Sequence, residues 1–422
     1  MSSSAFEASL EYAQSQDQVD FLYSFRERFL FPQHEGEDVR YFCGNSLGLQ
    51  PKSVSYLMDK ELRDWARYGV EGHFRAQYPW FSYHHIFEER LAKIVGAHKE
   101  EVVAMNTLTV NLHLLMLSFY RPQGRRHKIL MEAGAFPSDQ YAVEAQVRMH
   151  GYNPDDAIIE IAPKEGAYLI EDEDIIAAIK EAGNELALVM IGGVNYYTGQ
   201  FFDLEGITKA AHSVGAYAGF DLAHTVGNIP LNLHDWNVDF ACWCSYKYLN
   251  SGPGGVGGAF VHDRHGNDAN IFRLAGWWGN EEESRFKMQK GFKPQKGAGS
   301  WQMSNAPVFN MVAHNASLDI FDKAGMAPLR EKSVRLTGYM EFLLNQVPHL
   351  PFEIITPSDP DRRGAQLSLL FRNRGNVVFD ALTARGIVAD WREPNVIRIA
   401  PTPLYNTYED CYRFYEVLMG IE

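Results

Sequence analysis

Two charged residues that follow neighbouring predicted strands could do covalent chemistry together. Asp221 ends the apolar segment 216–220, and Lys247 comes directly after the next apolar segment, 238–244. A lysine amine forms a Schiff base with an aldehyde, and a carboxylate keeps a pyridine nitrogen protonated so that the ring can accept electrons. The pair therefore suits a pyridine aldehyde. For these two residues alone, an ordinary salt bridge at the edge of a sheet is the alternative.

Other polar residues follow further apolar segments at comparable positions. His224 lies three residues after Asp221, and Phe136-Pro137-Ser138-Asp139 and Gly192-Gly193 each follow an apolar segment of their own. In an open α/β sheet the ligand lies beyond the carboxyl ends of the strands, so these residues are expected to surround it. The sequence thus predicts one ligand site built from several loops.

A phosphate group would need donors, and two segments could supply them. Thr109 lies at the predicted start of an apolar helix, where hydroxyls and free backbone N–H groups can bind an anion, although plain N-capping is the alternative. The segment Gly252–Gly257 matches the pattern G-x-G-x-x-G, but it leads from the Lys247 loop into a strand. A dinucleotide-binding loop leads from a strand into a helix. These glycines are therefore expected only to let the backbone pack closely beside a ligand.

These residues need a sheet to position them, and the middle of the chain predicts one. Strands that are apolar throughout alternate with helical segments such as 173–182 and 204–214, which indicates a mostly parallel sheet covered on both faces. The predicted strands are 128–134, 157–163, 186–194, 216–224, 238–245 and 257–262.

The two ends of the chain differ from this alternation. Helical spacing of apolar residues predicts a helix that includes residues 21–30 and ends before Pro32, followed by a loop and a helix over 53–68. After residue 310 the order becomes helix, helix, strand, helix, strand, helix, which predicts a smaller α+β domain. We therefore expect an N-terminal segment (1–50) packed on the small domain, a large domain (51–310) and a small C-terminal domain (311–422).

Composition excludes several classes of protein. The 422 residues are 46% hydrophobic and 22% charged, which is typical of a folded protein, and the net charge of −14 without a basic stripe disfavours binding to nucleic acid. The N-terminus lacks a signal sequence and no apolar stretch could span a membrane, so we expect a cytoplasmic protein. The four cysteines are expected to be buried or reduced thiols, and no metal site is predicted.

The segments named above, taken together with others, resemble kynureninase, and the resemblance extends from about Gly44 to Tyr405. It implies an α/β fold of the aspartate aminotransferase type (fold type I), a pyridoxal 5'-phosphate cofactor, and a homodimer with shared active sites. It also implies hydrolysis of L-kynurenine, and of its 3-hydroxy form, to an anthranilate and L-alanine. The segments that carry the resemblance are Thr109–His113, Phe136–Asp139, Tyr197–Gln200, Asp221–His224, Ser245–Asn250 with the glycines after it, Gly276-Trp277 and Ser304-Asn305.

The resemblance assigns roles to the residues of the predicted ligand site. Lys247 is implied to be the Schiff-base lysine, and Asp221 to pair with the pyridinium nitrogen. Tyr246 is implied to contact the phosphate and to relay a proton. The other residues implied to contact the cofactor are Leu108, Thr109, Phe136, Pro137, Ser138, Asp139 and His224.

Four residues outside these loops are also implied to act. Trp277 and Asn305 would reach the cofactor and substrate from the partner subunit, Arg398 would grip the substrate α-carboxylate, and His73 would contact the substrate. A core aromatic, a turn residue and a surface histidine remain the alternatives for Trp277, Asn305 and His73. Arg398 alternates with apolar residues in a predicted strand, where a charged residue needs a reason.

Three other functions were weighed against this one. An aminotransferase or a cysteine desulfurase has the same fold, but a desulfurase needs a cysteine in a mobile loop, whereas Cys242 and Cys244 lie in a predicted strand. A non-catalytic binding protein would not need both Lys247 and Asp221. The preference between kynurenine and 3-hydroxykynurenine stays open, as does the choice between a catabolic and a biosynthetic role.

Overall fold

A computed structural model describes residues 6–421 of the chain. Its largest element is a sheet of seven strands, which lie in the order β1-β7-β6-β5-β4-β2-β3. Strands β2 to β6 run parallel to one another, whereas β7 is antiparallel to both of its neighbours. The strands are β1 (Val102–Ala104), β2 (Lys128–Glu132), β3 (Ile158–Ile161), β4 (Leu186–Gly192), β5 (Tyr217–Asp221), β6 (Phe240–Trp243) and β7 (Gly258–Val261).

Helices cover both faces of this sheet, as strands without polar alternation require. Successive residues of β4 show this directly, because Leu188 and Met190 belong to one hydrophobic cluster while Val189 and Ile191 belong to the other. The longer helices up to residue 324 are α1 (Leu10–Val19), α2 (Ser53–Tyr68), α3 (His85–Val95), α4 (Leu108–Phe119), α5 (Pro137–Met149), α6 (Asp172–Ala182), α7 (Leu204–Ser213) and α8 (Val308–Ala324). Short helical turns lie at 72–75, 154–157, 263–266 and 282–285.

A second, antiparallel sheet forms in the C-terminal part. Its strands lie in the order β8-β9-β11-β10, and three helices accompany them. Leu369, Phe371, Ile397 and Phe414 share one buried cluster there, so the sheet and the last helix pack on a common core. These elements are β8 (Phe352–Ile354), β9 (Leu367–Phe371), β10 (Asp390–Arg392), β11 (Val396–Ile399), α9 (Met326–Leu344), α10 (Gly375–Thr383) and α11 (Tyr408–Met419).

The N-terminal residues pack on this C-terminal part. The carboxylate of Asp17 accepts the backbone N–H groups of Tyr408 at 2.7 Å and Glu409 at 3.0 Å, which satisfies free donors at the start of α11. The helix predicted over residues 21–30 is wrong in its second half. A 3₁₀ turn covers Tyr23–Arg28, and Phe29-Leu30 pairs with Gln50-Pro51 as a short strand. Strand pairing and the burial of Phe29 outweigh the local helical spacing there.

Candidate active site

The residues that follow β2, β4, β5 and β6 meet at one edge of the large sheet and enclose a cavity of about 230 Å³. Because these four strands are parallel, their carboxyl ends lie side by side, and the residues after them converge. The cavity is lined by Thr107, Leu108, Thr109, Glu132, Phe136, Ser138, Asp139, Gly192, Val194, Tyr196, Asp221, Ala223, His224, Tyr246 and Lys247.

The Lys247 amine lies inside the cavity and already has a partner. Its Nζ is 2.9 Å from Nε2 of His224 and 5.8 Å from the centroid of the Phe136 ring. Burial, reinforced by the charge of Lys247, lowers the pKa of His224 well below its usual value, so the imidazole is neutral and accepts a hydrogen bond from the ammonium. The other ring nitrogen, Nδ1, is buried without a partner.

Asp221 ends β5 at the floor of the cavity. Its Oδ1 accepts the backbone N–H of Ala223 at 2.7 Å, and its side chain is hydrogen-bonded to Asp139. Burial raises the pKa of both carboxyls, and the charge of Asp221 raises the pKa of Asp139 further. Asp139 therefore keeps its proton and donates it to Asp221, while Oδ1 of Asp139 has no partner. Asp221 remains the carboxylate that can face a cation.

Two helices begin at the cavity wall with their N-terminal N–H groups uncapped by side chains. Thr107 precedes α4 and Phe136 precedes α5, and neither side chain makes a capping hydrogen bond. Hydroxyls of the two helices meet there, because Oγ1 of Thr109 lies 2.6 Å from Oγ of Ser138. Free N–H groups at a helix start attract an anion. The N-capping alternative for Thr109 is excluded, since the capping position belongs to Thr107.

These residues fit a pyridine aldehyde that carries a phosphate. The amine, the buried carboxylate and the two helix starts surround one cavity, in the combination that such a ligand requires. The unpartnered Nδ1 of His224 and Oδ1 of Asp139 are buried polar atoms that a ligand could satisfy.

Four residues predicted for the site lie outside this cavity. Pro137 is the first residue of α5 and does not line it, although its neighbours do. His73 and Asn305 lie together at a second cavity of about 220 Å³, and Trp277, half exposed, lines a third. Within a single chain, therefore, His73, Asn305 and Trp277 do not join Lys247.

Arg398 is buried in β11 behind the cavity. Its Nη1 donates to the backbone carbonyl of Tyr196 at 2.6 Å, and Tyr196 lines the cavity. Its Nη2 donates to Asp390 at 2.5 Å and to Ser46 at 3.1 Å, while its Nε has no partner. The guanidinium is thus held by an internal carboxylate close to the predicted site.

The sequence did not single out two lining residues, Glu132 and Tyr196. Glu132 is the last residue of β2, so the rule that polar residues end the strands at a ligand site could have found it. It was counted instead as part of the apolar segment 128–134. Tyr196 follows β4 after three intervening residues and carries no signal of its own.

Two comparisons of sequence bear on this site. A family model described as "Kynureninase C-terminal domain" matches residues 329–418, and one described as "DegT/DnrJ/EryC1/StrS aminotransferase family" matches residues 77–235. A curated kynureninase from Flavobacterium johnsoniae is 54% identical over 98% of this chain and 98% of its own, and one from Myxococcus xanthus is 53% identical over the same shares. The chain belongs to the kynureninase family. This confirms the resemblance predicted from the sequence.

Solved structures show the fold that this kynureninase family member shares. The cysteine desulfurase CsdA from Escherichia coli superimposes with a TM-score of 0.75 and 16% identity over 94% of this chain and 98% of its own. A variant of C-DES with glycine covalently linked to its PLP cofactor superimposes with a TM-score of 0.74 and 16% identity over 90% and 96%. The α/β fold of type I is thus confirmed. No helix among residues 6–421 is long and apolar enough to cross a membrane.

Proposed function

We propose that this chain is a kynureninase, a hydrolase that converts L-kynurenine and water to anthranilate and L-alanine with pyridoxal 5'-phosphate as its cofactor. The observation that carries the proposal is the single buried cavity in which Lys247 and Asp221 meet, in a chain that matches curated kynureninases over 98% of its length. The same site supports cleavage of 3-hydroxykynurenine, since one ring hydroxyl changes the substrate little.

The cavity residues divide the work of holding the cofactor. When bound, pyridoxal phosphate supplies a ring that accepts the electrons released at the substrate α-carbon. Lys247 Nζ binds the aldehyde, Asp221 pairs with the ring nitrogen, and Phe136 stacks on the ring. The phosphate is held at the starts of α4 and α5 by Leu108, Thr109 and the segment through Asp139, with Pro137 setting the first turn of α5.

Two side chains can move protons in this cavity. Lys247 Nζ, once it is free of the aldehyde, lies where it can take the α-proton and return it, with His224 holding the amine in place. Burial raises the pKa of Tyr246 above its usual value, so its phenol stays protonated and can donate to the phosphate or relay a proton. The buried position of both groups keeps them away from bulk water.

We propose a homodimer with shared active sites. His73, Asn305 and Trp277 lie outside the Lys247 cavity of their own chain, so they can serve a cavity only in a second copy. Large apolar side chains near them are exposed, which supports a covered surface. They are Trp65, Phe74, Phe286 and Phe309. In this arrangement Arg398 holds the substrate α-carboxylate, and His73 and Asn305 contact the rest of the substrate.

Two coarser features of the protein also belong to the proposal. We propose that residues 1–50, 51–310 and 311–422 form an N-terminal segment, a large domain and a small domain, as the two separate sheets support. A cytoplasmic location is supported by the four cysteines, which are all buried and unpaired.

The desulfurase alternative is weakened by the same cysteines. Cys242 lies inside β6, and burial raises the pKa of its thiol well above the usual value. Cys244 follows the strand and is buried too, with a raised pKa. A protonated, buried thiol is a poor nucleophile. The aminotransferase alternative keeps some support, because an aminotransferase family model matches residues 77–235.

One assay separates these functions. The purified protein with added pyridoxal phosphate is mixed with L-kynurenine and no keto acid, and anthranilate and alanine are measured together. Equal amounts of anthranilate and alanine are expected. Products that form only after a keto acid is added would indicate an aminotransferase, and sulfide release from cysteine would indicate a desulfurase.

A further inference from the structure

A third carboxyl, Glu132, lies in the cavity and has no role so far. It ends β2, is 4% exposed, and accepts the backbone N–H of Gly192 through both oxygens, at 3.2 and 3.3 Å. Gly192 ends β4, the neighbour of β2 in the sheet. This side chain therefore joins the ends of two strands at the point where the cavity begins.

Gly192 and Glu132 are matched in size. A Cβ atom placed on Gly192 would lie 3.0 Å from Oε1 of Glu132, which is tighter than ordinary van der Waals contact. Any side chain at position 192 would thus push the carboxyl, or the end of β4, away from its present position. The backbone of Gly192 is not left-handed, so the glycine is explained by this close approach and not by its φ angle.

The carboxyl of Glu132 shares the cavity with two other acids. Asp221 and Asp139 line the same space, and Lys247 is the only lysine or arginine among the lining residues. Burial, and then the charge of Asp221, raises the pKa of Glu132 to about 7. A neutral Glu132 leaves Asp221 as the carboxylate that faces the ring nitrogen, and it still accepts the Gly192 N–H through its carbonyl oxygen.

We propose that Glu132 is a positioning residue that acts through Gly192, fixing the separation of the β2 and β4 ends and with it the position of the cofactor ring against Asp221. The proposal rests on the proposed function, because it takes pyridoxal phosphate as the ligand. It predicts that hydrogen-bond acceptance and side-chain length matter at position 132, while a negative charge does not.

The test compares four variants by the dissociation constant of pyridoxal phosphate and by the pH titration of the visible absorbance of the bound cofactor. Glu132→Ala leaves the Gly192 N–H buried without an acceptor, so we expect the dissociation constant to rise at least about fivefold. Glu132→Gln keeps an acceptor, and we expect a change below threefold. Glu160→Ala, which removes an exposed acid from the neighbouring strand β3, serves as the matched control.

A compensating pair tests the match in size. Gly192→Ala should raise the dissociation constant at least about fivefold and shift the absorbance titration, because the new methyl displaces the carboxyl. Combining it with Glu132→Asp, which shortens the acid by one methylene, should recover at least threefold of the affinity lost in Gly192→Ala. A general loss of stability would not be repaired by a second cavity-forming change.

Thermal unfolding of each variant without cofactor shows which of them fold. The proposal is wrong if Glu132→Ala binds the cofactor as tightly as the wild type with an unchanged titration, or if the double variant binds no better than Gly192→Ala. If Glu132→Ala does not fold, the double variant still decides the matter. A wild-type protein that does not bind pyridoxal phosphate would instead contradict the proposed function.

Discussion

Two groups of buried carboxyls lie at opposite edges of the large sheet, and they differ in what surrounds them. At the amino ends of the strands, Asp239 precedes β6 and accepts from His212 at 2.8 Å, His265 at 2.7 Å and Arg264 at 2.6 Å, as well as from the backbone N–H of Ala218. Burial alone would raise the pKa of Asp239, but the hydrogen bonds from the two histidines outweigh it and hold the pKa below its usual range.

The group at the carboxyl ends has few partners. Glu132, Asp139 and Asp221 are as deeply buried as Asp239, but Lys247 is the only lysine or arginine that lines their cavity. Their pKa values are raised, chiefly by burial. The same residue type at similar depth therefore stabilises the fold at one edge and awaits a ligand at the other. What distinguishes the two edges is whether the protein itself supplies the hydrogen-bond donors.

The largest effect is expected at Lys247, which links the acidic cavity to its ligand. Lys247→Ala should abolish both the visible absorbance band of the bound cofactor and the release of anthranilate, because no other amine lines the cavity. Lys180→Ala, an exposed lysine in α6, is the control. Turnover that survives in Lys247→Ala would contradict the assignment of this lysine.

The comparison becomes sharper when each edge loses one charge. Asp221→Asn removes the carboxylate that faces the ring nitrogen, and breaking a buried charge pair costs about 3–5 kcal/mol, so kcat should fall by roughly 100- to 1000-fold. Thermal unfolding of the cofactor-free protein should change little or rise, since one unpaired buried charge is lost. A variant with normal kcat would show that Asp221 does not face the ring.

Asp239→Asn should show the opposite pattern. The substitution removes the partner of Arg264 and two histidines, so the free energy of unfolding should fall by about 3–5 kcal/mol, measured by denaturant titration. Turnover per folded molecule should stay within twofold of the wild type. If turnover falls instead while stability is unchanged, the division of the two edges into a structural and a functional group is wrong.

The pH dependence of folding should separate the edges as well. For Glu132 the pKa is raised from 4.5 to about 7 in the folded protein, so its contribution to stability is complete below pH 4.5 and is lost as the pH rises through 7. This loss is on the order of 3 kcal/mol. In the cofactor-free protein, the free energy of unfolding should therefore fall less between pH 5 and 8 in Glu132→Gln than in the wild type. Equal slopes would show that Glu132 is charged at neutral pH.

The smallest effect is expected in the strand that joins the two edges. Cys242 lies within β6, between Asp239 and Lys247, and is fully buried. Cys242→Ala removes only a small buried thiol, so kcat/KM for kynurenine should change less than threefold, with a loss of about 1–2 kcal/mol in stability. A loss of turnover above tenfold would revive a role for the thiol in the chemistry.

The sequence predicts the carboxyl edge better than the amino edge. Apolar strands that end in Asp221 or lead to Lys247 can be recognised, because the order of the chain itself places their ends side by side. The partners of Asp239 come from α7 and from the turn after β7, so only the folded chain brings them together. The strand β1, with three residues, is too short for its pattern to stand out.

Within the site, the residues that were predicted from strand ends line one cavity, whereas those that depend on a second chain do not. His73, Asn305 and Trp277 were named from the resemblance alone, and a single chain cannot show what they contact. Glu132 was missed for a different reason. A buried acid at the end of an apolar strand is hidden by its neighbours, and only the distance to Gly192 shows what it does.

The ion pair between Arg398 and Asp390 has a consequence for how a substrate enters and leaves. If Arg398 holds the α-carboxylate as proposed, that carboxylate exchanges with an internal one and does not meet a free cation. The substrate then gains only the difference between two similar interactions. Alanine carries the same α-carboxylate as kynurenine, so Asp390 competes with the product on equal terms. An acid of the protein itself thus helps to empty the site after each turnover.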